Sequence, residues 1–290
     1  CEGMRYYQLR RRDQPILVAE TDSGAYDLTS VKPDLDSFEA LARTAEITDR
    51  SPDEVVEPHL SGADSLPVEE VKAACEIPID VDEVWAAGVT YRISEEARMG
   101  ESSMPEIYVA VYDADRPELF LKSTRERTVG PNDAIGVRGD SDWNVPEPEL
   151  GVVLHRGEPV GYTVGNDVSS RSIEGENPLY LPQAKVYDRC CSIGPCVVTD
   201  VGDPHALEMS MRISRDGDTV YDGSATTAEM VRTCEELVSY YTRHNTVPEW
   251  AVLLTGTSLV PEGEFSLQAD DHVTIEIKGI GVLSNPVVTV

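Results

Sequence analysis

Residues 118–188 decide the fold and read ELFLKSTRERTVGPNDAIGVRGDSDWNVPEPELGVVLHRGEPVGYTVGNDVSSRSIEGENPLYLPQAKVYD. Within this stretch, Glu147 and Glu149 come directly before the apolar run at residues 150–154, which is typical of a buried strand. Alternate residues of a strand point to the same face, about 7 Å apart along the chain. We therefore predict that the two carboxylates point toward a common position.

A third carboxylate follows the next predicted strand. Residues 161–164 form a second apolar run, and Asp167 lies just after its end. Three carboxylates that leave room for water and a ligand suit Mg²⁺, with Mn²⁺ or Ca²⁺ as alternatives. The stretch thus predicts a divalent metal site with Glu147, Glu149 and Asp167 as ligands.

The pair at Glu147 and Glu149 is a weak signal when taken alone. The chain has two further Glu-x-Glu pairs, Glu174/Glu176 and Glu262/Glu264, and five Asp-x-Asp pairs. In a chain this acidic, most such pairs belong to a solvated face. The pair before residues 150–154 differs because a buried strand, a third carboxylate and a lysine follow it.

The charge of the chain excludes some classes of partner. Its 290 residues include 53 acidic and 24 basic side chains, and the formal net charge is −29. Such a charge disfavours binding to nucleic acid or to anionic membranes. No apolar run approaches 18 residues, and no signal peptide is visible, so we expect a soluble, cytoplasmic protein.

Lysine is scarce, which adds to the meaning of the lysines that remain. Only five are present, and arginine supplies most of the positive charge. This composition is typical of a halophilic protein, because at 1 M salt the Debye length falls to about 3 Å and self-repulsion is screened. Lys122 and Lys185 both lie in the central stretch and are candidate catalytic residues, unless they simply escaped replacement.

Five ordered motifs carry a family resemblance. The chain resembles the fumarylacetoacetate hydrolase superfamily from about residue 85 to residue 288, and the phrases LFLKST and ENPLYLPQ resemble its 2-keto-3-deoxy-pentonate dehydratase branch. The motifs are, in order, VPEPELGVVL, VGYTVGNDVSSRS, ENPLYLPQAKVYD, LLTGTSLVP and IKGIGVLSNPV.

The pattern of elements predicts an α+β fold in two parts. Residues 4–79 are expected to form a small N-terminal α+β domain, with strands at residues 6–10 and 16–20. Residues 80–290 are expected to form a mostly β catalytic domain, because strands are many, helices are few and no βαβ rhythm is visible. The expected architecture is a mixed β roll or distorted sandwich, with one long helix at residues 227–244.

The resemblance implies chemistry on a 2-keto acid. The metal is expected to bind the C1 carboxylate and C2 keto oxygen, so that a C3 proton can leave and the C4 hydroxyl departs as water. A 2-keto-3-deoxy-pentonate would then give 2,5-dioxopentanoate. Lys185 is the first candidate for proton transfer or for stabilising the enolate, because the pKa of a desolvated lysine near a cation is expected to fall towards neutrality.

Hydrolysis is disfavoured by the segment after residue 91. Hydrolases of the superfamily have a His and a Glu here, whereas Ser94 stands at the histidine position and no histidine lies between His59 and His155. Glu95 and Glu96 remain candidate acid–base groups. An acylpyruvate hydrolase, a 2-keto-acid decarboxylase and a catalytically silent metal-binding scaffold stay as alternatives.

The remaining expectations concern the substrate and the assembly. The turn at residues 255–257 is expected to present backbone N–H groups to the substrate carboxylate, with an ordinary strand-end turn as the alternative. The chain is expected to form a homodimer or homotetramer. The predicted substrate contacts are Thr255, Gly256, Thr257, Arg92, Ser169 and Arg171.

Overall fold

A computed structural model describes residues 3–92, 110–112 and 114–290. Strands make up most of the regular structure, as the α+β, mostly β prediction requires. The strands are β1 (Arg5–Arg11), β2 (Gln14–Thr21), β3 (Gly24–Asp27), β4 (Asp64–Leu66), β5 (Glu83–Gly88), β6 (Glu118–Thr124), β7 (Thr128–Val129), β8 (Ile135–Val137), β9 (Asn144–Val145), β10 (Pro148–His155), β11 (Glu158–Asp167), β12 (Ser169–Ser170), β13 (Cys191–Val198), β14 (Glu208–Arg215), β15 (Asp218–Thr226), β16 (Trp250–Leu254), β17 (His272–Ile277) and β18 (Gly281–Thr289).

Helices in the described residues are short. The α-helices are α1 (Phe38–Thr48), α2 (Pro52–Val56), α3 (Val68–Ala74), α4 (Arg171–Glu176), α5 (Leu181–Lys185) and α6 (Cys234–Thr242). Short 3₁₀ helices lie at Leu28–Ser30, Glu57–Gly62, Arg125–Arg127, Pro178–Tyr180 and Thr227–Glu229. None of the helices in the described ranges is long and apolar enough to cross a membrane.

Two large sheets form the fold. The first has the strand order β4-β3-β2-β1-β13-β11-β10-β16-β5-β6, with β7 paired to β13, and the second has the order β15-β14-β17-β18-β8. Strands β9 and β12 form a separate small pair. This mixed, strand-dominated arrangement confirms the fold class predicted from the sequence.

The N-terminal strands continue the first sheet. Strands β1 and β2 pair antiparallel, as predicted, and β1 also pairs with β13, where Arg5 lies opposite Val198. Helix α1 begins after Ser37, whose side chain accepts a hydrogen bond from the Ala40 N–H and so caps the helix. The division into domains at residues 4–79 and 80–290 stays a prediction.

The predicted helix at residues 227–244 is wrong at its N-terminal end. Helix α6 begins only at Cys234, after Thr233 caps it through the Glu236 N–H. The preceding backbone is used elsewhere, because the Val231 N–H donates to the Thr90 carbonyl oxygen and Met230 forms a bridge with Tyr91. These contacts hold Met230 and Val231 outside the helix, and the helical spacing of the apolar residues does not reveal them.

Strand β10 lies inside the first sheet and is buried on both faces. Leu150 and Val152 pack in one apolar cluster, whereas Val153 packs in the other. Glu149 shares a face with Val153 because side chains alternate along the strand. Glu147 precedes the strand between two prolines, which lack the N–H needed in a sheet interior. The carboxylates therefore lie where the strand enters the sheet.

Candidate active site

Strands β10 and β11 bring the three predicted carboxylates together. Glu149 lies opposite Gly165 in the antiparallel ladder, so that Asp167 lies opposite the entry to β10. The Asp167 N–H donates to the Glu147 carbonyl oxygen at 2.9 Å and fixes this register. Glu147, Glu149 and Asp167 are buried, and each offers an oxygen within 4.8 Å of the others.

Lys185 closes one side of this carboxylate cluster. It ends helix α5, and its Nζ donates to Glu147 Oε2 at 2.7 Å, Asp167 Oδ2 at 2.9 Å and Ser169 Oγ at 2.6 Å. Burial alone would lower the lysine pKa, but Asp167 and Glu147 raise it well above its usual value. Among these carboxylates the pKa of Lys185 is therefore raised, and the fall towards neutrality that is expected beside a bound cation stays a prediction.

Lys122 is buried next to the cluster and contacts Asp167. Its side chain is 0% exposed, and Nζ contacts Asp167 Oδ1 at 2.7 Å. It also donates to the carbonyl oxygens of Val168 at 2.8 Å and Lys185 at 2.5 Å. All these partners are protein groups. These contacts show that Lys122 holds Asp167 and the end of α5, and its catalytic role stays a prediction.

The electrostatics of the three carboxylates differ. Burial, followed by the charges of Asp167 and Glu147, raises the pKa of Glu149 well above its usual value. Burial also raises the pKa of Glu147, although Lys185 and then Arg171 oppose it. For Asp167, the adjacent lysines outweigh burial, so its pKa is lowered. Of the three carboxylates, Glu149 is thus the one whose buried negative charge is least compensated by nearby positive charge.

The turn after β16 serves Glu149. The Gly256 N–H donates to Glu149 Oε2 at 2.7 Å, and the Thr255 hydroxyl donates to the Leu150 carbonyl oxygen at 2.9 Å. The Thr257 hydroxyl accepts from the Leu259 N–H at 3.0 Å. The expectation that this turn presents its backbone N–H groups to the substrate carboxylate is therefore wrong for two residues. The Gly256 N–H binds a carboxylate of the protein, and the Thr255 N–H donates to the Leu150 carbonyl oxygen at 3.0 Å.

Gly256 is required at this turn for two reasons. Its φ is +88°, which favours glycine, and a Cβ there would lie 2.0 Å from the Thr90 hydroxyl oxygen and 2.9 Å from the Ala87 carbonyl oxygen. The Thr90 hydroxyl in turn donates to the Thr255 carbonyl oxygen at 2.6 Å. The turn is thus locked against the end of β5.

The other predicted substrate contacts lie in different places. Ser169 is buried and hydrogen-bonds Lys185, while the Arg171 guanidinium lies 3.2 Å from Glu147 Oε1. Both therefore contact the cluster itself. Arg92 is exposed, and its described contact is a backbone hydrogen bond from its N–H to the Glu229 carbonyl oxygen at 3.1 Å. Glu95 and Glu96 lie outside the described residues.

Glu118 is a site residue that the sequence reasoning missed. It begins β6, and burial raises its pKa to about 7, with a further rise from Glu174 and an opposing effect of Lys185. The alternation of the strand was the available signal, because residues 118 and 120 share one face. Phe120 lies on that face, with Lys185 Nζ 5.4 Å from its ring centroid.

The donor set fits a hard divalent cation. In the described part of the chain, the Gly256 N–H is the only hydrogen-bond donor that reaches the Glu149 carboxylate. A buried carboxylate beside two others is costly unless a cation compensates it. Carboxylate oxygens are the ligands that Mg²⁺, Mn²⁺ and Ca²⁺ prefer. Glu147, Glu149 and Asp167 are therefore the residues that would hold such an ion.

The fold and the carboxylate cluster are shared with one family of proteins. Residues 83–288 match the family model described as the fumarylacetoacetate (FAA) hydrolase C-terminal domain. The chain belongs to this family, which confirms the resemblance seen in its motifs.

The relatives that match nearly the full chain include dehydratases of 2-keto-3-deoxy sugar acids. A probable 2-keto-3-deoxyxylonate dehydratase of Haloferax volcanii is 65% identical over 99% of this chain and 100% of its own length. The 2-dehydro-3-deoxy-D-arabinonate dehydratase of Saccharolobus solfataricus is 39% identical over 98% of this chain and 96% of its own length. A solved structure of 2-keto-3-deoxy-D-arabinonate dehydratase, complexed with magnesium and 2,5-dioxopentanoate, is 36% identical, with a TM-score of 0.82 over 99% of each chain.

Proposed function

We propose that this chain is a magnesium-dependent hydro-lyase that converts a 2-keto-3-deoxy-pentonate to 2,5-dioxopentanoate and water. The observation that carries the proposal is the buried cluster of Glu147, Glu149 and Asp167 with Lys185 against it. Full-length identity of 65% to a probable dehydratase of this substrate class supports it.

The reaction balances without an oxidant or a reductant. A proton leaves C3, and the C4 hydroxyl leaves with an added proton as water, which creates a C3–C4 double bond. Transfer of a proton from C5 to C3 then gives an enol at C4–C5. Movement of the enol proton to C4 yields the C5 aldehyde of 2,5-dioxopentanoate.

The carboxylate cluster and its lysines prepare the site for this reaction. When bound to Glu147, Glu149 and Asp167, Mg²⁺ would supply Lewis acidity that makes the C3 protons of a 2-keto acid more acidic. Lys122 holds Asp167 in place at 2.7 Å. The Gly256 N–H orients Glu149 at 2.7 Å. These contacts fix the carboxylates before any ligand arrives.

Glu118 and Lys185 are the proposed proton-handling groups. A general base works best when its pKa lies near the working pH, and the pKa of Glu118 is raised to about 7. Glu118 is therefore assigned to accept the C3 proton. Lys185, whose pKa is raised by Asp167 and Glu147, is assigned to donate a hydrogen bond to developing negative charge.

The other predictions from the sequence complete this proposal. The proposed enzyme is a homodimer or homotetramer of the cytoplasm. A high-salt environment agrees with the net charge of −29. Glu95 and Glu96 remain the proposed acid groups for the departing hydroxyl. Thr257 and Arg92 remain proposed substrate contacts.

Product analysis tests the proposed function. The magnesium-loaded enzyme is incubated in high salt with a 2-keto-3-deoxy-pentonate and, in parallel, with an acylpyruvate, and the products are identified by mass spectrometry. A five-carbon dioxo acid that is 18 Da lighter than the substrate is expected from the first. Pyruvate and a carboxylic acid from the acylpyruvate, with no action on the sugar acid, would show a hydrolase instead.

A further inference from the structure

Gly88 lies directly beneath the side chain of Glu118. The two residues are opposite each other in the antiparallel pair of β5 and β6. A Cβ on Gly88 would lie 2.0 Å from Glu118 Oε2 and 2.8 Å from its Cδ. The Glu118 side chain therefore folds across β5 and occupies the space that any other residue at position 88 would fill.

Space, and not backbone conformation, explains the glycine at this position. Gly256 and Gly217 have φ values of +88°, where side chains are strained, but the φ of Gly88 lies outside the positive range. Gly88 also ends a regular β-strand, in which alanine is allowed. Replacing it by alanine would thus leave the backbone acceptable and would move the Glu118 carboxylate.

The place occupied by this carboxylate matters because charged groups converge there. Glu174 and Lys185 exert the largest charge effects on Glu118, followed by Glu147 and Asp167. A carboxylate pushed off β5 would change its position relative to all four. A shift of about 1 Å in a catalytic group can lower a rate by about 100-fold.

We propose that Gly88 is a positioning residue that creates the space in which Glu118 faces the carboxylate cluster. This inference rests on the proposed function, because it assumes that Glu118 accepts the C3 proton. Gly88 itself contacts no reacting atom. Its role is to keep one strand face free of a methyl group so that the opposite strand can place its carboxylate there.

Gly88→Ala tests the proposal in the magnesium-loaded enzyme. We expect kcat to fall about 100-fold, while KM and the Kd for Mg²⁺ stay within about twofold, because only the proton-accepting group moves. The readouts are steady-state kinetics, calorimetric titration with Mg²⁺, and exchange of the C3 protons of 2-oxobutanoate in D₂O followed by NMR.

Gly223→Ala is the matched control. Gly223 also lies in a strand, outside the positive φ range, and a Cβ there would meet the tip of a flexible side chain, the Tyr221 hydroxyl, at 2.5 Å. It belongs to β15 of the second sheet, away from the cluster. We expect its kcat and its exchange rate to equal those of the wild type.

A double-mutant cycle with Glu118→Gln separates positioning from general damage. If Gly88 acts through Glu118, then adding Gly88→Ala to Glu118→Gln lowers kcat no further. An unchanged kcat in Gly88→Ala would overturn the proposal, as would a further loss of about 100-fold in the double variant.

The exchange assay keeps this result separate from the proposed function. Wild-type exchange that Gly88→Ala slows supports the positioning role even if no water is eliminated, whereas wild type without exchange contradicts both.

Discussion

At the residue scale, Glu149 concentrates the electrostatic cost of the site. It is buried beside two other carboxylates and receives one hydrogen bond, from the Gly256 N–H, in the part of the chain that the structure describes. Asp167, in contrast, has Lys122 and Lys185 at 2.7 and 2.9 Å. The residue with the least compensation is the one that gains most from a bound cation.

Glu149→Gln should therefore separate metal binding from folding. We expect the affinity for Mg²⁺ to fall more than about 100-fold, because loss of even the partners of metal ligands costs about 10- to 100-fold. The magnesium-free melting temperature should not fall, since the substitution removes a buried charge whose pKa is raised. Calorimetric titration and thermal unfolding measure the two effects.

Glu158→Gln provides the control for this prediction. Glu158 is an exposed carboxylate at the start of β11, the strand that ends in Asp167. The control should bind Mg²⁺ and turn over as the wild type does. Metal-dependent turnover near the wild-type rate in Glu149→Gln would show that the wrong carboxylates have been chosen.

Glu118 predicts the pH dependence of turnover. Its pKa is raised to about 7 by burial and by Glu174, so the proposed base is protonated and inactive below that pH. We expect kcat to rise with pH through a midpoint at about 7. Glu118→Gln should lose this rise together with most of the activity. A wild-type profile that is flat between pH 5 and 9 would contradict the assignment.

At the scale of elements, the turn after β16 couples the end of β5 to the metal site. The Thr90 hydroxyl holds the Thr255 carbonyl oxygen, and the next residue along the chain orients Glu149. Val89, between Gly88 and Thr90, has a φ of +55°, which is strained for a β-branched residue. Strain of this kind persists only where the surrounding contacts enforce it.

Gly256→Ala measures how much these contacts matter. We expect a loss of stability of more than about 2 kcal/mol, since positive φ and a close contact with the Ala87 carbonyl oxygen combine, along with weaker Mg²⁺ binding. Gly217→Ala is the matched control, because Gly217 has the same φ of +88° and a Cβ added there would have no neighbouring atom within 4 Å. The Gly217→Ala variant has the conformational strain without the close contact. Chemical denaturation compares the stability of the two variants, and calorimetric titration compares their binding of Mg²⁺. Equal losses of stability and unchanged Mg²⁺ binding would show that the coupling is unimportant.

Local patterns predict the elements of this fold better than they predict the roles of side chains. Alternation and flanking prolines place Glu147 and Glu149 at a strand entry, because that information lies within a few residues. The role of Lys122 depends on Asp167, Val168 and Lys185, which are 45 to 63 residues away along the chain. No local pattern carries such contacts.

The N-terminal end of α6 shows the same limit in the backbone. Met230 continues the helical spacing of Cys234, Leu237 and Tyr241. The Val231 N–H, however, donates to the Thr90 carbonyl oxygen, so this segment does not join the helix. Gly256 is a second example, because a glycine in a turn does not reveal whether its N–H faces a ligand or a neighbouring carboxylate. In both cases the partner lies on a distant strand.

At the scale of the whole molecule, charge is the dominant property. The ion pairs with exposed partners, such as Arg10 with Glu76 and Arg212 with Asp222, contribute little individually. They cannot compensate a net charge of −29. Repulsion among the unpaired acids is therefore expected to control stability, and salt is expected to screen it.

Thermal unfolding at different salt concentrations tests this expectation. The melting temperature should rise between 0.1 M and 1 M KCl, because the Debye length falls from about 10 Å to about 3 Å. Sucrose, which stabilises proteins by exclusion and does not screen charge, is the control. A melting temperature that does not change over this range of KCl would remove the interpretation that the composition is an adaptation to salt.

The pairing of β1 with β13 has a consequence for the order in which the chain can fold during synthesis. The ribosome makes β1 long before its neighbour in the sheet, β13, in which Val198 lies opposite Arg5. Until then, β1 and β2 form a hairpin with one open edge, and such edges attract other strands. Nascent chains arrested before residue 191 should therefore be digested at their N-terminal strands by a protease, whereas chains arrested well beyond residue 198 should be protected there. Equal protection of the two would mean that these strands fold without the rest of their sheet.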